Sequence, residues 1–352
     1  MKLSVCMIVK NEEANIIQAL KSTQGVHEVI VVDTGSSDRT VELAEAWGAK
    51  VYFYEWNESF SDARNYAASK ASGQYIAMLD ADECLSDHFF VNIGKHFERY
   101  NDVPAAIIIQ NENDQESTRH RAVRVYPNLE RFCFDGDVHE QLFDSVSGDL
   151  AESQDCDALI YHYGYQSKQY ENKGKYERYL ALYDKAIKDN PYNGYMHYQL
   201  GKLYYSNEKY AEAYHAFSRS AELAEMNRFY YPVMLVQLGY TLKHLGYSKE
   251  AYQLLEPLAD QYPNYPDLAF LLGTLAMDIG KLDRIEHYYK EALNIGDTDK
   301  YSTIVGNGSF RAAYNLGVFY EVTGNKEQAQ FYYRLAAKSG FQPSIDRLLV
   351  IS

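Results

Sequence analysis

Residues 75–83 read Tyr-Ile-Ala-Met-Leu-Asp-Ala-Asp-Glu, an apolar run that ends abruptly in Asp80, Asp82 and Glu83. Three carboxylates crowded at one strand end would repel each other and raise each other's pKa. A divalent cation relieves that repulsion and lets the site hold a second anion, such as a diphosphate. In an open α/β sheet, ligands sit outside the carboxyl ends of the strands. Asp-x-Asp alone also describes two solvated acids opening a loop, so other residues must converge on it.

Several do. Asp33 ends an earlier strand-like run at residues 28–32. The turn after it, residues 34–37, offers backbone N–H groups and hydroxyls beside a helix start, with Ser36 or Ser37 as the expected N-cap. Arg64 stands near the start of another helix, where the dipole disfavours a cation unless it reaches a phosphate. Residues 135–140 put Asp135, Asp137, Glu140 and His139 into one turn. There His139 is expected to face a metal or phosphate, with a carboxylate nearby as general base. His162 reads as a packed residue at a domain junction. No G-x-G-x-x-G follows a strand and no G-x-x-x-x-G-K-S/T occurs, so dinucleotide and P-loop readings lose their support.

Strand-like runs at 3–9, 28–32, 51–54 and 74–79 alternate with helical patterns at 13–21, from 36 or 37 to about 47, and at 61–72. That order predicts a mostly parallel sheet with helices on both faces, Asp33 and Asp80 sharing one edge. Runs at 105–110 and 122–126 have no helix between them, so the sheet is expected to turn mixed. Near Tyr165 helices take over and a repeat begins with Leu200-Gly201, Leu238-Gly239, Leu272-Gly273 and Leu316-Gly317. Twelve positions after each glycine stands Ala213, Ala251, Ile285 or Ala329, and four further on Phe217, Leu255, Tyr289 or Tyr333. This is the tetratricopeptide skeleton, small residues where two helices touch and large ones filling the gap. Ile285 weakens the third unit, and the extra residues near 296–309 predict a projecting loop.

The 352 residues suggest two domains. No apolar run approaches the ~18 residues of a membrane span, and the first run is too short for a signal-peptide core. Cys6, Cys84, Cys133 and Cys156 lack C-x-x-C spacing, which argues against zinc or a disulfide framework and makes the cytoplasm the expected compartment. Cys6 and Cys133 read as inert core positions. Residues 1–165 hold 13 Lys+Arg and 28 Asp+Glu, a difference of -15 that equals the whole net charge; residues 166–352 hold 21 of each. An acidic first half disfavours nucleic acid or an anionic membrane as partner.

Taken together, residues 7–13 (Met-Ile-Val-Lys-Asn-Glu-Glu), 32–38 (Val-Asp-Thr-Gly-Ser-Ser-Asp), 60–65 (Phe-Ser-Asp-Ala-Arg-Asn), 79–83 (Leu-Asp-Ala-Asp-Glu), 138–140 (Val-His-Glu) and 162–165 (His-Tyr-Gly-Tyr) resemble the family 2 glycosyltransferases of the GT-A fold. The subgroup with a C-terminal tetratricopeptide domain, which includes the SunS-type peptide S- and O-glycosyltransferases of bacteriocin clusters, is the most similar in layout. The resemblance implies an α/β GT-A domain over 1–165, a linking helix over 166–190 and an all-α repeat domain over 191–352. It implies a UDP-sugar donor, UDP-glucose first, held by Asp33, Arg64, Asp80, Ala81, Asp82 and His139. Asp33 would bond the uracil or ribose; Asp82, Asp80 and His139 would hold Mn²⁺ or Mg²⁺. Glu140 is the first choice of general base and Asp137 the second. The absence of Q-x-x-R-W and of a membrane span argues against processive synthesis. The acceptor would be a Cys or Ser/Thr of a peptide or protein gripped by the repeats, through which the chain could also dimerise. A polysaccharide or lipid-linked acceptor, or a non-catalytic scaffold with a vestigial site, are the competing readings.

Overall fold

Strand β1 (Leu3–Val9) is buried on both faces, as its near-continuous apolar run demands of a central parallel strand. Its even and odd residues feed two cores: Val5 and Met7 pack with Leu20, Phe89 and Ile93, while Cys6 packs with Ile30, Ala67 and Tyr126. The computed structural model describes residues 1–112, 116–136, 138–163 and 172–351. They fall into two compact units, residues 1–171 and 172–352.

In the first unit β2 (Glu28–Asp33), β3 (Lys50–Phe53) and β4 (Tyr75–Met78) run parallel with β1, through crossover helices α1 (Ile16–Ser22), α2 (Thr40–Trp47) and α3 (Phe60–Ala68). Next come β5 (Glu83–Leu85), α4 (Phe89–Arg99), β6 (Ala105–Asn111) and β7 (Thr118–Pro127). A small antiparallel sheet of β8 (Phe132–Asp135), β9 (Gln141–Asp144) and β10 (Asp149–Leu150) follows, before β11 (Gln154–His162) returns to the main sheet. The main order is β3-β2-β1-β4-β7-β6-β11-β5. β7 is antiparallel to both β4 and β6, so the sheet is mixed after the acidic run, as expected.

Two helix boundaries differ from the sequence reading. α2 begins at Thr40, and neither Ser36 nor Ser37 caps it. Asp33 Oδ2 accepts from Gly35 N and Ser36 N, each at 3.0 Å, and Gly35 takes φ 107, which coils this stretch into a turn. Ser36 Oγ then accepts from Asn11 N, and Ser37 N donates to Asn11 Oδ1, so both serines are spent on the loop after β1. α3 stops at Ala68 rather than at 72 because Ser72 is needed elsewhere: its N and Oγ both donate to Glu28 Oε1.

The second unit is helical: α5 (Asn172–Asp189), then hairpins α6 (Gly194–Ser206) with α7 (Tyr210–Glu222), α8 (Tyr230–His244) with α9 (Ser248–Leu255), α10 (Pro266–Asp278) with α11 (Leu282–Ile295), α12 (Phe310–Val322) with α13 (Lys326–Ala337), and α14 (Gln342–Val350). The repeat glycines are where each hairpin closes. A Cβ on Gly201, Gly239 or Gly317 would stand 2.5 Å from Phe217, Leu255 or Tyr333. At Gly273 the approach to Tyr289 relaxes to 3.0 Å, in the hairpin where Ile285 replaces alanine and is buried. Residues 296–309 do not project. Asp297 accepts from Gly306 N, Gly308 N and Ser309 Oγ, Ile304 N donates to buried Asp267, and Tyr301 packs 4.5 Å from Tyr265. Several tyrosines of this unit are buried packing residues, Tyr198, Tyr230, Tyr252, Tyr265 and Tyr289 among them. Cys6 is buried as expected, whereas Cys133 is only half-buried. No described helix is long and apolar enough to cross a membrane.

Candidate active site

Strand register builds the site. Val9 pairs with Asp33 and Cys6 with Met78, so Asp33 and the Asp80–Glu83 turn leave the same edge of the sheet, one on each side of β1. On β7, Val125 pairs with Ala77, which brings the next residue, Arg124, toward the end of β4. β11 pairs with β5 and β6 so that His162 lies opposite Glu83 on one side and Asn111 on the other. Helix α3, capped by Ser59 accepting from Asp62 N, brings Arg64 in from the sheet face.

The carboxylates meet guanidiniums. Arg64, 5% exposed, donates from Nη2 to Asp80 Oδ1 at 2.9 Å and from Nε to Glu140 Oε1. Arg124 Nη2 lies 3.1 Å from Asp80 Oδ2 and 3.5 Å from Glu83 Oε1. Burial alone would raise the Asp80 pKa, but the two arginines hold it well below the usual carboxylate range. Glu83, 1% exposed, goes the other way: burial pushes it up, Asp80 adds to that, and Arg124 offsets only part. Arg64 Nη1 is buried with no hydrogen-bond partner among the described residues.

Asp82 has a different neighbour. Its Oδ2 is 3.1 Å from His162 Nε2, and His162 Nδ1 is 2.7 Å from Asn111 Oδ1. Asn111 Nδ2 donates to Thr118 Oγ1, which leaves its Oδ1 to accept from His162 Nδ1–H. Burial would lower the His162 pKa; the hydrogen bond and charge of Asp82, with Glu83 and Asp80 behind it, raise it instead.

The sequence-predicted residues therefore divide. Asp80, Arg64 and Glu140 form one chain of ion pairs. Asp33 is buried and engaged by its own turn at the same edge, and Ala81 is buried between the two aspartates. His139, half-buried beside Glu140, has backbone φ 50 after Gly136 at φ 100, the double bend that returns Glu140 to Arg64. Asp137, Gly164 and Tyr165 lie outside the described residues. Among the described residues no group of three or more His, Cys, Asp or Glu is placed to hold a metal, so Asp80, Asp82 and His139 do not gather into a ready-made cage. Sequence reasoning misses two residues. The signal for Arg124 is a lone cation between Val123 and Val125, since a charge in a strand needs a buried partner. His162 looks like junction packing, although it ends the strand-like run 158–161.

Known proteins agree with this layout. The model of the family "Glycosyl transferase family 2" matches residues 4–147, and a tetratricopeptide-repeat model matches residues 310–339, the α12–α13 hairpin. A TPR repeat-containing protein of Synechococcus elongatus is 29% identical over 57% of this chain and 52% of its own length. An uncharacterized glycosyltransferase of Rickettsia typhi is 29% identical over 50% of this chain and 65% of its own. The SPbeta prophage-derived glycosyltransferase SunS of Bacillus subtilis is 24% identical over 86% of this chain and 68% of its own. The chain thus spans about half to two thirds of the length of the first two relatives. Its first unit carries a family 2 glycosyltransferase domain with a mixed GT-A-type sheet, and its second is a tetratricopeptide-repeat array.

Proposed function

We propose that the protein transfers a hexose from a UDP-sugar, UDP-glucose first, to a Cys or Ser/Thr side chain of a peptide or protein, with inversion and with Mn²⁺ or Mg²⁺ assistance. The observation that carries this reading is the pairing of Asp82 with His162 at the carboxyl edge of the sheet. With Nδ1–H committed to the Asn111 amide oxygen, His162 meets Asp82 through Nε2–H, and release of that proton frees the Nε2 lone pair that a metal-ligating imidazole uses. One carboxylate and one imidazole suit a cation whose remaining ligands are substrate phosphates and water. These residues fit the group, and Asp82 with His162 would hold it. When bound, the cation neutralises charge on the departing diphosphate.

The chain's own residues do the rest. Arg64 Nη1, a buried donor without an acceptor among the described residues, is suited to a phosphate oxygen once the donor enters. Asp33, fixed by its turn, stands at the same edge to meet the uracil or ribose. The acceptor sulfur or oxygen attacks the anomeric carbon, the bond from that carbon to the diphosphate oxygen breaks, and its electron pair leaves with UDP. Glu140, held in place by Arg64, takes the proton of a hydroxyl acceptor; a thiol, with pKa ~8.5, needs less help. The repeat unit is the part suited to holding the peptide, and the SunS relative, a glycosyltransferase in name, spans both units of this chain. Intact-mass measurement after incubating Cys- and Ser-containing peptides with UDP-hexoses and Mn²⁺ tests the reading. The expected product gains one hexose; no gain with any peptide, while UDP is still released, would remove the peptide acceptor from the account.

A further inference from the structure

Asp80 is the first acid of the cluster, yet both of its oxygens are occupied. Oδ1 takes Arg64 Nη2 at 2.9 Å and Oδ2 takes Arg124 Nη2 at 3.1 Å. The same Arg124 nitrogen reaches Glu83 Oε1 at 3.5 Å, while Glu83 Oε2 accepts from the Asp80 backbone N at 2.9 Å. Glu83 N in turn donates to Asp80 O at 3.1 Å. The turn 80–83 is therefore closed by its backbone, by the Glu83 side chain and by an arginine reaching in from β7. Beyond that closure Asp82 O accepts from Tyr163 N at 2.9 Å, and Asp82 Oδ2 meets His162.

The charges explain why an arginine is there. Asp80, Glu83 and Glu140 would be three buried or half-buried carboxylates within one network, and Arg64 alone cannot neutralise them. Without Arg124, Glu83 loses its cationic partner in this network and Asp80 keeps one guanidinium instead of two. The repulsion would then open the turn that presents Asp82.

We propose that Arg124 is the positioning residue of this site: by bridging Asp80 and Glu83 from β7 it locks the turn, keeps Asp80 out of cation coordination, and leaves Asp82 as the carboxylate that meets the cation. This rests on the cation-assisted reading above, and its tests separate the two. Direct coordination is read with Cd²⁺ on the full chain, taking the unsubstituted protein as background. Asp82→Cys should give the ultraviolet thiolate-to-cadmium band and Asp80→Cys should not; an equal band from Asp80→Cys would overturn the exclusion of Asp80.

Positioning is read by Mn²⁺ affinity from electron paramagnetic resonance. Arg124→Met risks leaving Glu83 buried and unpaired, so Arg124→Met with Glu83→Gln is the working variant, checked for fold by circular dichroism. It should bind Mn²⁺ about 10–100-fold more weakly, the range for residues that orient metal ligands. Its kcat should fall by a similar factor while the KM for the donor changes less, and Arg124→Lys, which keeps a bridging cation, should recover part of the loss. A folded double variant with unaltered Mn²⁺ affinity and kcat would overturn the proposal for Arg124 while leaving the cation reading intact. Failure of the unsubstituted protein to bind Mn²⁺ would overturn both.

Discussion

Each carboxylate of the 80–83 turn has its own partner: Asp80 meets Arg64 and Arg124, Glu83 meets Arg124, and Asp82 meets His162. The two kinds of partner imply two kinds of work. A guanidinium is always charged and presents a fixed fork, so it holds geometry; an imidazole can release its Nε2 to a metal, so it can exchange partners. His162→Ala should therefore weaken Mn²⁺ binding about tenfold or more with little change in melting temperature, measured by titration calorimetry and circular dichroism; unchanged Mn²⁺ affinity would remove His162 from the site. Asp80, Asp82 and Arg64 are legible in the sequence because acids at a strand end and an arginine near a helix start conflict with local physics unless something compensates them. Arg124 and His162 are less legible because their partners lie across strand pairings 41 and 80 residues apart in sequence, which no local pattern encodes.

Among the elements, β1, β2 and β4 and the crossovers are legible because apolar runs and helix periods alternate cleanly, whereas the three residues of β5 are too short to show a period. The start of α2 is hidden from sequence reasoning since the serines that look like caps are drawn to Asn11. The opposite end of β2 carries its own network, in which Glu28 accepts from Lys50, Ser4 and Ser72. Burial works against ionisation there, but these bonds hold its pKa at about 2, below the ordinary 4.5. A carboxylate depressed in the folded state contributes stability that is fully present above its unfolded pKa and is lost as pH falls through the folded one. Glu28→Gln should thus cost about 2 kcal/mol at pH 6, and that cost should shrink as pH falls from 4.5 towards 2, read from urea unfolding; a pH-independent cost would contradict it. In the repeats, Gly317→Ala forces a methyl against the Tyr333 ring and should cost about 1–3 kcal/mol, with Gly273→Ala milder because its neighbour stands further off. Thermal melts of the two variants check that order.

For the whole molecule, the repeat offsets make four hairpins readable in the amino-acid order alone, because a glycine facing a large side chain is a packing rule that repeats with the chain. The loop at 296–309 reads as projecting but folds back, since the bonds that hold it are made by Asp267 and Asp297 to backbone N–H groups that sequence does not mark. The excess of acid in residues 1–165 is what is left after every Lys and Arg there is counted, and at the site two arginines face Asp80, Glu83 and Glu140. Among the described residues Asp82 pairs with no arginine there, and the account stands on its role. The most direct measurement is UDP released from UDP-glucose and other UDP-hexoses by the full chain with Mn²⁺, compared with the same protein in excess chelator and with Asp82→Ala. The account predicts release that needs the cation and falls at least about a hundredfold in the variant, the scale of losing a main electrostatic element, with the circular dichroism spectrum unchanged. Equal release by a folded Asp82→Ala protein, or release indifferent to chelator, would contradict it.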